Sequence, residues 1–415
     1  MGAILIERIP PLMVHTPQGL AGRLQRDGSY IFTFDHQASP STAPALSMPL
    51  LVKPYEHPTL HPIFQMNLPE GYVLEQLRSR LAKTTGMDPL LLLTVIGSQA
   101  PIGRLRYRLD GSAPNDVPTP AERLADLLAS RGSRDLFARL LDTYLLRSGV
   151  GGVQPKVLVP EAVAGNAPAL KASVATAELI VKSGLGEYPG LAINEFICMS
   201  IVQRAGIPVP EFHLSDDGEL FVMRRFDRPA DGRILGFEDM LVLAGRDADK
   251  KYEGSYGLVL KLLRLYCAAR YLPAAREQLF DMVALSCILG NGDAHMKNFG
   301  VLYDDVLADG DSSEGPGGVR IAPAYDIVCT RFYIPEDTLA LTLAGSRTFF
   351  AARQGLLDFG VACDIPKARV RSRIIELARL TLQTLQDLKH IADKLPGLAE
   401  VIANEAQLYL MTFEK

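Results

Sequence analysis

A run of apolar residues, Phe280 to Leu289 (FDMVALSCIL), leads directly into the eight residues NGDAHMKN at 291–298. Such a run ahead of Gly290 predicts a buried helix that stops at that glycine. The polar cluster then sits at the end of a rigid element, which is where reactive loops are usually carried. Asn, Gly and Asp are also the commonest turn residues, so NGD alone reads as a plain helix-to-strand connection. Two other segments shift that reading. An acidic loop lies downstream and a glycine-rich loop with a lysine lies upstream, so the fold has to bring three distant loops together.

Composition narrows the class. The chain has 415 residues, 48% hydrophobic and 22% charged, enough for two or three globular domains. The net charge of −4 excludes a bulk nucleic-acid binder. The five cysteines (Cys198, Cys267, Cys287, Cys329 and Cys363) are widely spaced, with no C-x-x-C pair. That pattern predicts reduced, buried thiols rather than a disulfide framework or a zinc site. Proline breaks the N-terminal MGAILIERIPPL too early for a signal peptide, and no run of 18 apolar residues occurs. The expectation is a soluble cytoplasmic protein without a membrane partner.

Organisation follows from periodicity and punctuation. Residues 19–34 predict two short strands around Asp27-Gly28, and LSMPLLV (46–52) predicts a further apolar strand or an edge segment with Pro49. Pro69 and Glu70 open a helix with Val73, Leu74, Leu77 and Leu81 on one face, and a second helix follows near 88–96. GSAPNDVPTP (111–120) is a linker, and 121–146 predicts an amphipathic helix. Strands are expected at 157–160, 177–182 and 220–226, with a helix at 191–205. From 237 onward the pattern is mostly helical, broken by the turn-rich loop 304–320, and 366–392 predicts one long helix or a pair. We divide the chain into a small α/β subdomain (1–106), the rest of an N-terminal lobe (107–229) and a helical C-terminal lobe (230–415).

The chemistry lies in three loops. Asp293 and Asn298 have the D-x-x-x-x-N spacing of a protein-kinase catalytic loop, in which Asp takes a substrate hydroxyl proton and Asn holds magnesium. His295, when protonated, and Lys297 could reach a phosphate as cations. SGVGGVQPK (148–156) contains Gly149, Gly151 and Gly152, which let backbone N–H groups approach phosphate oxygens. It is neither a Walker A loop nor G-x-G-x-x-G, since Gln154 stands where the third glycine would be. Lys156 alone would be a surface lysine. Lys182 ends the strand AELIVK, and Glu195 on the next helix is its candidate partner. Asp326, in IAPAYDIV, is expected to be partly buried and therefore paired or metal-bound. Asp293, Asn298 and Asp326 together supply the oxygen ligands and base for Mg-dependent phosphoryl transfer from ATP. In Met223–Arg228 (MRRFDR), Phe226 could pack on adenine at a hinge. The alternative is an edge strand with an Asp227–arginine salt bridge.

SGVGGVQPK, LIVK, RRFDR, NGDAHMKNF and APAYD, in that order, resemble the HipA-type serine/threonine kinases of bacterial type II toxin–antitoxin systems. FQMNLPEG, preceded by ALSMPL, resembles the small domain ahead of their kinase core. The resemblance implies an α+β, bilobal, protein-kinase-like fold with a mainly helical C-terminal lobe. It implies Asp293 as catalytic base, with His295 and Lys297 lining the same site. Asn298 and Asp326 become Mg2+ ligands, and Lys182 the ATP-phosphate lysine. The glycine loop through Gln154 and Lys156, with Phe226, becomes the nucleotide site. It further implies a helix-turn-helix, HipB-like antitoxin as partner, operator DNA reached through that antitoxin, and a protein substrate such as an aminoacyl-tRNA synthetase. One position departs from the pattern. Family members often carry an autophosphorylated serine in the glycine loop, and here Gly149 and Gly151 occupy the usual positions, with Ser148 one residue upstream.

Two rival functions remain open on sequence alone. One is a catalytically silent binding protein, an antitoxin or co-repressor, against which the intact Lys182, Asp293, Asn298 and Asp326 set argues. The other is a small-molecule kinase of related fold, against which the N-terminal domain weighs.

Overall fold

The first hairpin follows from its turn. Gly28 adopts φ 74°, a left-handed conformation that glycine reaches without steric cost, and Asp27 pairs with Ser29 across it. In the computed structural model, residues 10–81, 88–96, 101–111, 120–145, 154–162, 178–184, 188–306 and 318–414 are described. Strands β1 (Leu12–Thr16), β2 (Gly19–Asp27), β3 (Ser29–Phe34), β4 (Tyr55–His57) and β5 (Arg106–Leu109) form an antiparallel sheet in the order β4-β3-β2-β1-β5. Its inner face buries Leu12, Val14, Leu24, Phe32 and Tyr107 together with Phe64. The expected strand at 46–52 is absent. That segment turns instead, and the Leu46 N–H is held by the Glu238 carboxylate at 2.8 Å. The predicted helices occur at Gly71–Leu81 and Pro89–Ile96.

The second sheet shows how period-two alternation places a charge. Strands β6 (Lys156–Pro160), β7 (Glu178–Ser183), β8 (Phe212–Leu214) and β9 (Leu220–Arg224) are antiparallel in the order β6-β7-β9-β8. One face, with Val157, Val159, Leu179, Val181 and Val222, packs with Phe137, Leu140 and Tyr144 of the helix Ser133–Tyr144. The other, with Leu158, Ile180, Phe221 and Met223, packs with Ile197 and Ile201 of the helix Leu191–Arg204. Each fully buried Leu or Ile here contributes roughly 1.5–3 kcal/mol. Lys182 follows Ile180 by two residues, so it shares the face that meets the helix bearing Glu195. Lys156 pairs directly with Lys182 in the ladder, on the same face as Leu158. Lys156 is therefore buried rather than a surface residue.

Two expectations need correction in this half. The helix predicted over 121–146 is two helices, Leu124–Leu128 and Ser133–Tyr144, parted at Gly132. Strand β9 stops at Arg224 and lies inside its sheet, so it is not an edge strand.

In the remaining half the helices Tyr256–Tyr266, Leu272–Ile288, Phe349–Ala362, Lys367–Asp387 and Leu398–Phe413 surround one apolar core. A small sheet missed by the sequence reading crosses it: β10 (Gly236–Asp239), β11 (Gly300–Tyr303) and β12 (Arg320–Ile321), in that order. Helix Leu272–Ile288 is buried along Met282–Ile288, and the chain reverses at Gly290, φ 69°. The polar loop 291–298 is thus clamped between a buried helix and β11. All five cysteines are buried and unpaired. Among the described residues no helix is long and apolar enough to cross a membrane.

Candidate active site

Three loops meet at one lysine. Lys182 Nζ donates to Glu195 Oε1 at 2.5 Å and to Asp326 Oδ1 at 2.5 Å. Lys182 and Glu195 are sealed from solvent, whereas the Asp326 side chain is 31% exposed. Asp326 adopts φ 58°, a left-handed conformation that Asp tolerates better than most residues. Its second oxygen, Oδ2, accepts from Asn298 Nδ2 at 3.2 Å. Burial alone would raise the Asp326 pKa, but the Lys182 and Lys156 ammoniums outweigh it and hold the carboxyl well below its usual range. Burial would likewise lower the Lys182 pKa, yet Asp326 and Glu195 raise it, so the lysine stays charged. Lys156, buried and without such direct pairing to the carboxylates, has its pKa lowered by desolvation despite the pull of Asp326.

The backbone N–H groups of Gly292, Asp293 and His295 in the loop 291–298 are held by side chains of the loop and by Thr330. Asn291 Oδ1 accepts from Asp293 N at 3.0 Å, and Gly292 N donates to Thr330 Oγ1 at 2.7 Å. A side chain at position 292 would collide with Asp337, since a Cβ there would lie 2.1 Å from its Oδ2. Asn298 and His295 exchange two bonds: His295 N to Asn298 Oδ1 at 3.1 Å, and Asn298 N to His295 O at 3.0 Å. The amide of Asn298 is thereby aimed at Asp326. Asp293 faces outward, its side chain 45% exposed, and Oδ1 accepts from the Tyr252 hydroxyl at 2.7 Å. Burial and the nearby Asp326 charge raise the Asp293 pKa, while the Tyr252 bond and Lys251 oppose them.

Two expected phosphate cations behave otherwise. His295 is buried, and desolvation reinforced by Lys251 pushes its pKa down to about 3, so it is neutral at ordinary pH. Its Nε2 lies 4.0 Å from Asp293 Oδ1. Lys297 turns away to Glu70 Oε1 at 2.5 Å, at the mouth of the helix Gly71–Leu81, and its carbonyl accepts from the Tyr325 hydroxyl at 2.6 Å.

The nucleotide-side residues divide. Gly149, Gly151 and Gly152, with Ser148, lie outside the described residues. Gln154 Nε2 donates to the Ser183 carbonyl at 3.3 Å, beside Lys182. Phe226 is half-buried, and its ring has aromatic neighbours. It packs on Phe237 and Tyr325, with centroids 5.4 and 5.3 Å away, because the flanking Arg225 and Asp227 anchor the segment in buried ion pairs. Sequence reasoning missed Tyr252 and Glu70, which reach the loop from 41 and 227 residues away and leave no local signal. Among the described residues no group of three or more His, Cys, Asp or Glu is poised to hold a metal.

The chain matches known families and folds. Residues 148–385 match the family model for the HipA-like C-terminal domain, and residues 12–108 match the HipA N-terminal domain. The chain is 26% identical over 420 residues to "Putative kinase Y4dM" of Sinorhizobium fredii, covering 94% of this chain and 93% of that protein. It is 27% identical over 265 residues to the serine/threonine-protein kinase toxin HipA of Shewanella oneidensis, covering 58% of this chain and 57% of that one. In three dimensions it resembles a chain of the Shewanella oneidensis HipA, HipB and operator DNA complex, with a TM-score of 0.71 at 20% identity. That match covers 96% of this chain and 97% of the other, and it establishes a shared fold.

Proposed function

Because this chain belongs to the HipA family, we propose that it is a Mg-ATP-dependent serine/threonine protein kinase, the toxin of a toxin–antitoxin pair. The observation that carries the reading is the convergence of Glu195 and Asp326 on one buried lysine, Lys182, with Asn298 on the free oxygen of Asp326. A binding module has no use for a buried lysine shared between a sealed glutamate and a half-open aspartate, beside an outward-facing aspartate.

Each residue takes a role from its surroundings. Glu195 fixes the ammonium of Lys182, which would bind the α- and β-phosphates of ATP. Gly149, Gly151 and Gly152 would offer backbone N–H groups to the same phosphates, with Gln154 and Lys156 at their base. Asp326 would give a carboxylate oxygen to magnesium, which needs only one or two protein oxygens beside water and substrate phosphates, and Asn298, whose Nδ2 donates to Asp326 while its Oδ1 accepts from His295 N, would add its amide oxygen by turning toward the ion. Bound there, the ion would neutralise charge developing on the transferred phosphoryl group. Asp293 would take the proton of an acceptor hydroxyl as its oxygen bonds to the γ-phosphorus and ADP departs, a role worth about 10²–10⁴-fold in rate. His295, neutral, packs beside that base, and Lys297 ties the loop to the small subdomain, so neither serves as a phosphate cation. Phe226, half-buried against Phe237 and Tyr325, would meet adenine with its remaining exposed edge.

The partners follow from the same reading. A HipB-like helix-turn-helix antitoxin would bind the chain and join it to operator DNA, as the Shewanella complex brings its own three components together. The substrate would be a cytoplasmic protein, with an aminoacyl-tRNA synthetase as the first candidate. Labelled ATP incubated with the purified chain and a bacterial lysate tests this. A labelled band of foreign size that vanishes in Asp293→Gln supports the kinase. Intact Mg-ATP binding without any transfer would favour the silent binding protein.

A further inference from the structure

The geometry points to Tyr252 as a guard of the acceptor position. Its hydroxyl takes the hydrogen bond at Asp293 Oδ1 that a substrate hydroxyl would make, and so holds that oxygen against water until a polypeptide acceptor displaces it. This inference rests on the proposed kinase activity. The bond is short, 2.7 Å from Tyr252 Oη to Asp293 Oδ1, within the range that proton abstraction requires of a true acceptor.

The position is built. The turn that carries Tyr252 is held at three successive carbonyls: Lys251 O accepts from Met296 N at 3.1 Å, Tyr252 O from Arg347 Nη2 at 2.5 Å, and Glu253 O from Arg246 Nη1 at 2.8 Å. Met296 belongs to the catalytic loop itself, so the tyrosine and the base share one frame. The ring meets His295 edge-on at 5.2 Å between centroids, and Lys251 Nζ lies 5.1 Å from its centre. Yet Tyr252 is 40% exposed, so a side-chain rotation alone can carry it outward without opening the core. Burial and the Asp293 charge raise the phenol pKa, which keeps it a proton donor and makes it a poor nucleophile.

A kinase that activates any hydroxyl near its base also activates water. In that side reaction the water oxygen bonds to the γ-phosphorus, the bond to the β-phosphate oxygen of ADP breaks, and Asp293 takes the proton. With Tyr252 in place, water can use Oδ1 of Asp293 only by competing with the phenol for it. Removing the hydroxyl while keeping the ring should free the base.

The test uses water as the only acceptor. Purified wild type and Tyr252→Phe receive Mg-ATP without added protein. ADP release is followed, and Mg-ATP binding is measured by calorimetry. Tyr252→Phe should release ADP about tenfold faster, the lower bound for loss of a hydrogen bond to a charged group. Binding should be unchanged, and the gain should vanish in Tyr252→Phe/Asp293→Gln. A merely structural tyrosine would not produce a gain. Unchanged or slower release with intact binding overturns the guard, as does a gain that survives in the double variant. Stoichiometric phosphate on Tyr252 of the wild type also overturns it, because Tyr252 would then be an acceptor. If neither protein binds Mg-ATP, the kinase reading falls and the guard with it.

Discussion

Two buried ionic clusters in this molecule look alike in composition and differ in completeness. In the first, Arg225 donates to both oxygens of Asp227 at 2.9 and 2.7 Å, pairs with Glu178, and reaches the Pro101 carbonyl at 2.8 Å. Arg228 adds bonds to Asp227 and to the carbonyls of Pro101 and Gly103, and Gly103 N returns one to Asp227 at 2.8 Å. Burial would raise the Asp227 pKa, but Arg225 and Arg228 draw it down to about 2. This cluster pins the segment 101–103 of the small subdomain to the end of β9. In the second, Lys182 holds Glu195 and Asp326, but Glu195 Oε2 is buried without a partner and Asp326 stays partly open to solvent. Burial of charge does not tell a joint from a site. A carboxylate of the cluster that stays open to solvent, as Asp326 does, tells them apart.

The comparison breaks most visibly at Arg225. Arg225→Met leaves Glu178 and Asp227 as buried charges with fewer partners, and should cost about 3–5 kcal/mol in urea unfolding. The turnover of the molecules that stay folded should remain within about twofold, a ceiling set by a joint that adds no transition-state contact. A collapse of turnover at full occupancy would show that this cluster is not only a joint. Next in size is Asp293→Gln, expected to lower phosphoryl transfer by at least ~10²-fold with an unaltered melting curve. Near-normal transfer would remove Asp293 from the chemistry. Asp326→Asn should weaken nucleotide binding in magnesium by about tenfold or more while sparing binding in EDTA, as loss of a charged oxygen ligand requires. Equal losses in both buffers would move Asp326 into the structural class.

The smallest effect belongs to a buried carboxylate of intermediate kind. Glu238 accepts from Tyr303 Oη at 2.5 Å and from Leu46 N, while its Oε2 is buried without a partner. Burial pushes its pKa up to about 7, partly offset by those bonds. The folded state therefore holds the proton more tightly than the unfolded chain does. The stabilisation this gives is complete below about pH 4.5 and is lost as pH rises through 7. Glu238→Gln should gain on wild type by on the order of 1 kcal/mol between pH 5 and pH 9. A difference independent of pH would mean that Glu238 is ionised throughout.

What was legible in the sequence was local. The apolar run ending at Gly290, the Asp27-Gly28 turn and the helix Leu191–Arg204 each carry their signal within a few residues. The face of Lys182 could be read from strand alternation once β7 was recognised. The small sheet β10–β12 could not, because strands of two to four residues are too short to show a period. The break at Gly132 was in plain view, but the helical pattern on both sides masked it. In 46–52 the apolar content suggests a strand or edge segment, but Pro49 cannot donate to a ladder and the segment turns without pairing. At the site, residue types were readable and partners were not. Nothing near His295 announces that it will be desolvated, and nothing near Lys297 names Glu70.

The backbone at position 326 has an evolutionary consequence. Its φ of 58° restricts the residue to the few types that accept a left-handed conformation, chiefly Gly, Asn and Asp. The substitutions that drift can make there without strain are therefore the ones that delete the carboxylate and leave the chain trace intact. A lineage of this protein can lose its acid in one step and keep its shape, its subdomain contacts and its binding surfaces. If Asp326 carries the magnesium chemistry proposed above, a silent descendant with its ancestor's fold is one substitution away.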